Sequence, residues 1–277
     1  MSNNNELILV VGGTGKTGKH VVEQLKAKGH NVRVGSRSTT PRLDLHDPLT
    51  WAEALEGVTA AYIAPPDIPF ADKEFVASLV NSGVRRIVTL SGRRIQKLDP
   101  ESQTSMARTE KSVRESGVEW TVLQANNFNQ NFTEGDYADA VKAGRHSLPL
   151  GDTREPLIDA EDIAEVAAVT LTTDGHAGKV YELTGPQSLT QGEAMAAIAE
   201  ATGKPVVYHA ADPAEHAAEL SQAGLPDEVV AFLNAMYEFM RTGAIADTTD
   251  HVRQVLGRDP IDFATWAKRA AEAGAWS

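Results

Sequence analysis

The chain has 277 residues, 42% of them hydrophobic and 23% charged, the makeup of an ordinary globule with one sizeable core or a domain with an appendage. A net charge of −12 argues against a nucleic-acid surface, and the absence of cysteine removes disulfides, thiol nucleophiles and thiolate metal ligands. No run approaches the ~18 apolar residues of a membrane span. The polar start MSNNNE has no apolar signal segment, so the expectation is a cytoplasmic protein with no membrane partner.

Leu7–Val11 is an unbroken apolar run, the pattern of a parallel strand buried on both faces. Gly12 and Gly13 end it. A helical pattern through Val21, Val22 and Leu25 follows and stops at Gly29. Between strand and helix, Gly12, Gly15 and Gly18 read GxxGxxG, a variant dinucleotide fingerprint, with Thr14, Lys16 and Thr17 filling the loop. One glycine permits the turn, one lets the backbone approach a pyrophosphate, and one lets the helix pack on the strand. The phosphates would lie at the helix N-terminus, where N–H groups and the dipole favour anions. Gly15-Lys16-Thr17 mimics the end of a Walker A loop, but that motif needs a glycine where Val10 stands.

The second strand, Val32–Ser36, ends in Gly35-Ser36-Arg37-Ser38. An NAD-preferring site carries an acidic residue at this tip for the ribose 2′-OH. None is present. Arg37, beside Ser36, can instead fork onto a 2′-phosphate, so the expected cofactor is NADPH. A short strand over Arg42–Leu45 would set Asp44 and Leu45 beside the adenine. Asp47-Pro48 opens a helix over Trp51–Leu55, with Asp47 as its cap. The strand Thr59–Ile63 ends in Ala64, Pro65 and Pro66, a wall beside the cofactor. A helix through Phe75–Val80, the strand Arg86–Leu90 ending at Ser91 and Gly92, a helix Met106–Glu115 and the strand Trp120–Leu123 follow. This alternation predicts a doubly wound parallel α/β sheet of Rossmann type. Such sheets bind ligands at the strands' carboxyl ends, here Gly12, 35–37, 64–66, 91–92 and 124–128.

The second half is less regular. A capped helix over Asp162–Val169, a strand Lys179–Leu183, a helix Glu193–Ala201 capped by Ser188–Thr190, a strand at Val206–Tyr208 and helices over 214–223, 226–240 and 263–273 are expected. The expected organisation is a dinucleotide-binding domain over 1–150, with sheet contributions from about 155–185, and a small, mostly helical substrate-binding cap over 186–277. No metal site is expected, since the histidines lack metal spacing and His209 and His216 read as surface. Phe232, Met236, Tyr237, Phe239 and Met240 have helical spacing and read as core.

VVGGTGKTGKHVVEQL, TEKSVRESGVEWTVLQANNFNQNF, PLIDAEDIAEVAA and VYELTGPQSLTQGEAMAAIAEATGK together resemble the NmrA-like family of atypical short-chain dehydrogenases/reductases. The likeness is greatest to NADPH-dependent quinone reductases and ergot-alkaloid imine reductases. The resemblance implies an NADP-binding Rossmann domain, a small cap and hydride transfer to a quinone, an imine or a carbonyl. It also implies a Tyr-x-x-x-Lys helix. Here Lys111 stands where the lysine would, but Ala107 occupies the tyrosine position, and the family's Arg-Pro is Gln124-Ala125. Ser91 stands where related enzymes keep a hydroxyl near the reacting centre.

The missing tyrosine favours acceptors that need no proton donor at the moment of transfer: an iminium ion, or a quinone that spreads the incoming charge. Lys111 and Asn127 are the catalytic candidates. Asn126 and Asn127 could hold a carboxamide or substrate oxygen, and Phe128 could stack on a flat substrate. Tyr62 and Tyr137 are candidate substitute donors. The expected partner is a small molecule, aromatic or polycyclic, and the protein a monomer or homodimer. A non-catalytic NADP(H) sensor and a ketoreductase using substrate-assisted proton transfer are the alternatives.

Overall fold

The computed structural model describes residues 6–99, 104–135 and 137–277. In chain order come β1 (Leu7–Val11), α1 (Gly18–Ala27), β2 (Asn31–Gly35), α2 (Trp51–Leu55), β3 (Ala60–Ile63), α3 (Asp72–Asn81), β4 (Arg86–Gly92), α4 (Ile95–Leu98), α5 (Ser105–Arg114) and β5 (Glu119–Ala125). Next are α6 (Ala138–Lys142), β6 (Arg145–Leu148), β7 (Arg154–Glu155), α7 (Ala160–Thr172), β8 (Lys179–Leu183), β9 (Leu189–Thr190), α8 (Gln191–Thr202) and β10 (Val207–Ala210). The helices α9 (Pro213–Gln222), α10 (Asp227–Arg241), α11 (His251–Leu256) and α12 (Phe263–Glu272) complete the chain. These elements form two compact units. One is the chain up to Ala125 with Ala160–Leu183 and His251–Arg258; the other is Asn126–Asp159, Thr184–Asp250 and Asp259–Ser277.

In the first unit six strands form one sheet in the order β2-β1-β3-β4-β5-β8, every pair parallel. This is the doubly wound Rossmann arrangement. From β1 the chain first adds β2 on one side, then β3 on the other, so the winding reverses between β1 and β3. Val11 is level with both Gly35 and Ile63, which brings the carboxyl ends of the three strands together. The crevice at such a reversal is where open α/β sheets bind ligands.

The helices bury the faces that their periodicity predicts. In α1 these are Val21, Val22 and Leu25. Under α2 and α3, Trp51, Leu55, Phe75, Val76 and Leu79 join Leu9, Val11, Ile63 and Ile87 in one cluster. On α7 nearly every residue from Ala160 to Leu171 is buried, and its many alanines let it lie close to α1 and the sheet. Arg258, after α11, holds this helix. Its Nη1 donates to the fully buried Asp162 at 2.7 Å, and its Nη2 reaches Glu165. The backbone N–H of Glu182 in β8 donates to His251 Nδ1 at 2.9 Å. So α11, which the sequence pattern does not announce, belongs to the sheet unit.

One predicted strand is absent: Arg42–Leu45 is a loop. The backbone N–H of Asp44 donates to Thr50 Oγ1, and its carbonyl accepts from Trp51 Nε1 at 2.9 Å. The groups that a ladder would need are already satisfied within the loop.

The second unit has two small sheets. β6 and β10 pair in parallel, and β7 pairs with β9 antiparallel. Its larger core gathers Phe132, Met195, Ile198, Phe263, Trp266 and Trp276. Trp276 Nε1 donates to the Phe132 carbonyl at 2.7 Å, which ties the end of the chain into that core. A second cluster joins Leu148 and Leu150 to Tyr237, Met240 and Ile245, so two of the expected aromatic-apolar set are core while Phe232 is exposed. His216, read as surface, is instead 7% exposed, its ring edge-on to Tyr237.

Phe75 is fully buried, with Trp51 at 5.1 Å and Phe70 at 6.3 Å, both edge-on. Phe75→Ala should cost about 3–5 kcal/mol through lost burial and a cavity among rigid rings, read as a lower denaturation midpoint of the sheet unit.

Candidate functional site

The turn after β1 requires its glycines. Gly12 has φ +71°, and its N–H donates to the Gly35 carbonyl at 3.0 Å, joining the ends of β1 and β2. A Cβ there would sit 3.2 Å from Ala64, so Gly12 and Ala64 meet where the winding reverses. A Cβ on Gly18 would lie 2.1 Å from the Gly12 carbonyl oxygen, so the first turn of α1 rests on the bare loop. Gly15 N–H donates to that same carbonyl at 2.9 Å, and Thr14 and Gly15 form the exposed tip beside half-buried Lys16. Thr17, buried, makes no side-chain cap, and α1 has no acidic residue in its first turn. By contrast α8, α9 and α12 are capped by Thr190, Asp212 and Asp262. With neither a side-chain cap nor a first-turn carboxylate, the start of α1 leaves its positive end open to an anion. The residues fit a dinucleotide pyrophosphate.

Tyr62 lies under this loop. Its hydroxyl donates to Thr17 Oγ1 at 3.4 Å, and full burial pushes the phenol above its ordinary range. It props the loop and is no candidate proton donor.

At the tip of β2, Arg37 is exposed and pairs with no described residue. Around it the loop is lined with hydroxyls. Ser36 Oγ and Ser38 Oγ are 3.0 Å apart, and Thr39 Oγ1 donates to the Ser36 carbonyl at 2.9 Å. Asp44 is turned into its own loop, where the His46 N–H and then Arg42, at 2.7 Å, hold its carboxyl below the usual range. Leu45 packs on the core, and Ala64, Pro65 and Pro66 are half-buried beyond β3.

At the carboxyl ends of β4 and β5 lies a buried carboxylate, Glu110 of α5, 1% exposed. Ser91 Oγ donates to it at 2.6 Å, Gln124 Nε2 at 3.1 Å and Arg114 Nη2 at 2.9 Å, and Gln96 Nε2 also reaches it. The Ser91 hydroxyl and Gln124 amide are thus committed to Glu110. Gly92 lies beside Met106, where a Cβ on the glycine would stand 3.1 Å from the sulfur. On the same helix Ala107 is 4% exposed while Lys111 is exposed and pairs with no described side chain.

Asn126, Asn127 and Phe128 belong to the second unit. Asn126 is 3% exposed and neither amide atom has a hydrogen-bond partner, a state that costs about 1–3 kcal/mol per group until something polar completes it. Phe128 is half-buried and forms a bridge with Ile158. Asn127, half-buried, donates through Nδ2 to Glu155 Oε2 at 2.6 Å. Glu155 Oε1 accepts from Gln191 Nε2 at 2.7 Å, and Gln191 Oε1 lies 3.1 Å from His146 Nε2. Burial raises the Glu155 carboxyl to about 7 and lowers the His146 imidazole to about 4. Tyr137 packs at a tilt against His146 and Phe132 in this unit.

Comparison with known proteins fits this arrangement. The NmrA-like family model matches residues 4–266. The chain belongs to the NmrA-like family. It is 32% identical over 289 residues to an NAD(P)H azoreductase of Xenophilus azovorans, across 96% of this chain and 99% of that protein. It is 30% identical to a (4-alkanoyl-5-oxo-2,5-dihydrofuran-3-yl)methyl phosphate reductase of Streptomyces griseus, across 96% and 99% of the two chains. Among solved structures, the NADPH complex of the Escherichia coli quinone oxidoreductase QOR2 superposes with a TM-score of 0.76 at 24% identity, over 95% of this chain and 99% of that one. This NmrA-like chain is accordingly an oxidoreductase.

Glu110 and Glu155 escape a reading of the sequence. Glu110 carries a signal, since it stands on the inward stripe of α5 with Ala107 and Val113. Glu155, in a two-residue strand, carries none.

Gly18→Ala should lower dinucleotide affinity at least ~10-fold, because the added methyl forces α1 off the Gly12 carbonyl. Fluorescence titration with NADPH checks this, with circular dichroism expected to match the parent.

Proposed function

We propose that this protein is an NADPH-preferring reductase of small, flat acceptors whose π bonds are electron-poor, such as azo compounds, quinones and iminium ions. The observation that carries the reading is the bare, uncapped start of α1 at the winding reversal, followed one strand later by Arg37 among hydroxyls. The backbone of Gly12–Gly18 holds the pyrophosphate. Arg37 forks onto the 2′-phosphate, with Ser36 and Ser38 as neutral donors. Ala64, Pro65 and Pro66 border the crevice, and Lys111 supplies positive potential from α5. Asn126 and Asn127 orient polar groups of the ligand, and Phe128 offers a flat apolar face. The bound reduced nicotinamide supplies the hydride.

The acceptor class follows from what α5 lacks. Ala107 offers no proton, so the acceptor must carry the incoming charge itself until water protonates it. A quinone does so by spreading the charge over its ring, and an iminium ion is simply neutralised by the hydride, whereas an unactivated ketone would leave an unquenched alkoxide. The azoreductase and quinone oxidoreductase relatives are named for acceptors of this kind. Substrate choice falls to the second unit.

Two measurements test this. Loss of the reduced-nicotinamide absorbance should depend on added quinone or azo dye; binding of NADPH without such loss would make the protein a sensor instead. Arg37→Ala should raise KM for NADPH about 10- to 100-fold while leaving that for NADH nearly unchanged, the loss of one charge-assisted contact.

A further inference from the structure

We infer that Glu155 is a positioning residue: its carboxylate grips the Asn127 amide by the nitrogen, so that Asn127 Oδ1 is presented as an acceptor to an N–H or O–H group of the bound ligand. The inference rests on the reductase reading above, which gives Asn127 a ligand to meet.

The geometry is directional. Burial holds His146 neutral, and Gln191 Oε1, an acceptor, faces its Nε2 at 3.1 Å, so the ring carries its proton on Nε2 and donates there. Gln191 is then fixed, with Nε2 on Glu155 Oε1 at 2.7 Å. The other carboxylate oxygen is left for Asn127 Nδ2 at 2.6 Å. Gln191, His146 and Glu155 are each 2% exposed or less, while Asn127 is half-buried and is the most accessible member of the chain. The contacts of the Asn127 side chain within the unit fall on its nitrogen: Glu155 takes the hydrogen bond, and Met240 Sδ lies 3.9 Å from the same Nδ2.

Neutral groups surround the carboxylate. Arg154, its chain neighbour, turns to Glu193, which it grips at 2.7 and 3.0 Å. His146 reaches Glu155 only through Gln191, and His216 faces His146 rather than Glu155. Two amides without a cation make this a costly place to keep a charge, and desolvation lifts the group to about 7. A group whose folded value is raised contributes stability below the unfolded value, near 4.5, and loses it as pH climbs through about 7. Ionised Glu155 is therefore a burden on the fold at neutral pH. What it secures is the orientation of Asn127. When one carboxyl oxygen carries a proton it becomes a donor, and one of the two amides must turn. Gln191 is buried and held at both ends of its amide, whereas Asn127 is half-buried and held only by its nitrogen, so Asn127 is the amide that turns and shows Nδ2 to the ligand.

Nitrogen-edited NMR of the full chain reads this without turnover. The Asn127 side-chain NH2 pair, assigned by its absence in Asn127→Asp, should titrate with a midpoint near 7, and Glu155→Gln should abolish the titration. In steady state, Glu155→Gln should lower kcat/KM about 10- to 100-fold for an acceptor that carries an N–H or O–H group, such as a hydroxylated quinone. NADPH affinity should stay within about twofold, because the glycine loop belongs to the other unit. The unfolding midpoint of Glu155→Gln should gain on the parent as pH rises from about 5 to 8. An Asn127 signal indifferent to pH in the parent protein overturns the assignment, as does unchanged kcat/KM for that acceptor in Glu155→Gln. A parent that binds NADPH yet reduces no acceptor sinks the reductase reading alone, and the NMR titration still decides the role of Glu155.

Discussion

The contact on which the dinucleotide crevice depends is the one between the Gly12 carbonyl and the first residue of α1. At Gly18 there is no room for a methyl group, and at Gly12 the backbone takes a left-handed turn while its N–H reaches Gly35. This near approach sets α1 over the end of β1. It turns the positive end of the helix to the reversal between β1 and β3. Side chains could not do the same work, because any of them would hold the helix away from the strand. Tyr62, fully buried below, keeps Thr17 turned inward, so the helix start remains uncapped.

The buried carboxylates of Glu110 and Glu155 show how environment divides like residues. Glu110 has a guanidinium, a hydroxyl and amides around it, so its charge is balanced and it can serve as a rigid knot between α5, β4 and β5. Glu155 has amides alone, and burial outweighs their two hydrogen bonds and raises its carboxyl. A balanced ion is a fastener; an unbalanced one is held at a cost that a purely structural contact would not require. An apolar pair of similar volume would have served packing as well or better.

What the sequence revealed follows the range of the interactions involved. β1, its glycines and the buried face of α1 are written in consecutive residues, and Thr190 with Glu193 spells a capping box within four positions. The loop at Arg42–Leu45 misled because its backbone is satisfied by Thr50 and Trp51, which a strand pattern does not consult. The attachment of α11 hangs on Arg258 and Asp162, far apart in the chain. Likewise Asn127, Glu155 and Gln191 come from three segments, and nothing local marks the residue between them. The strand ends on which the expected site residues stand were legible in the sequence. Their partners were not, so the commitment of Ser91 and Gln124 to Glu110 is visible only in the folded chain.

With Ala107 on the inner face of α5, the proposed chemistry has little use for a proton at the instant of transfer. Rate then depends on how long the acceptor lies flat and aligned, and orientation becomes the quantity that the protein must control. A charged donor such as a tyrosine–lysine pair polarises one carbonyl at one distance. An amide whose direction is set from behind accepts many shapes of acceptor, provided each offers a hydrogen where the amide presents oxygen. Relatives named as an azoreductase and a dihydrofuran phosphate reductase are consistent with a scaffold that keeps its cofactor end fixed in backbone and leaves selection to such adjustable polar groups. On that view the uncompensated carboxylate at Glu155 is where this chain trades stability for aim.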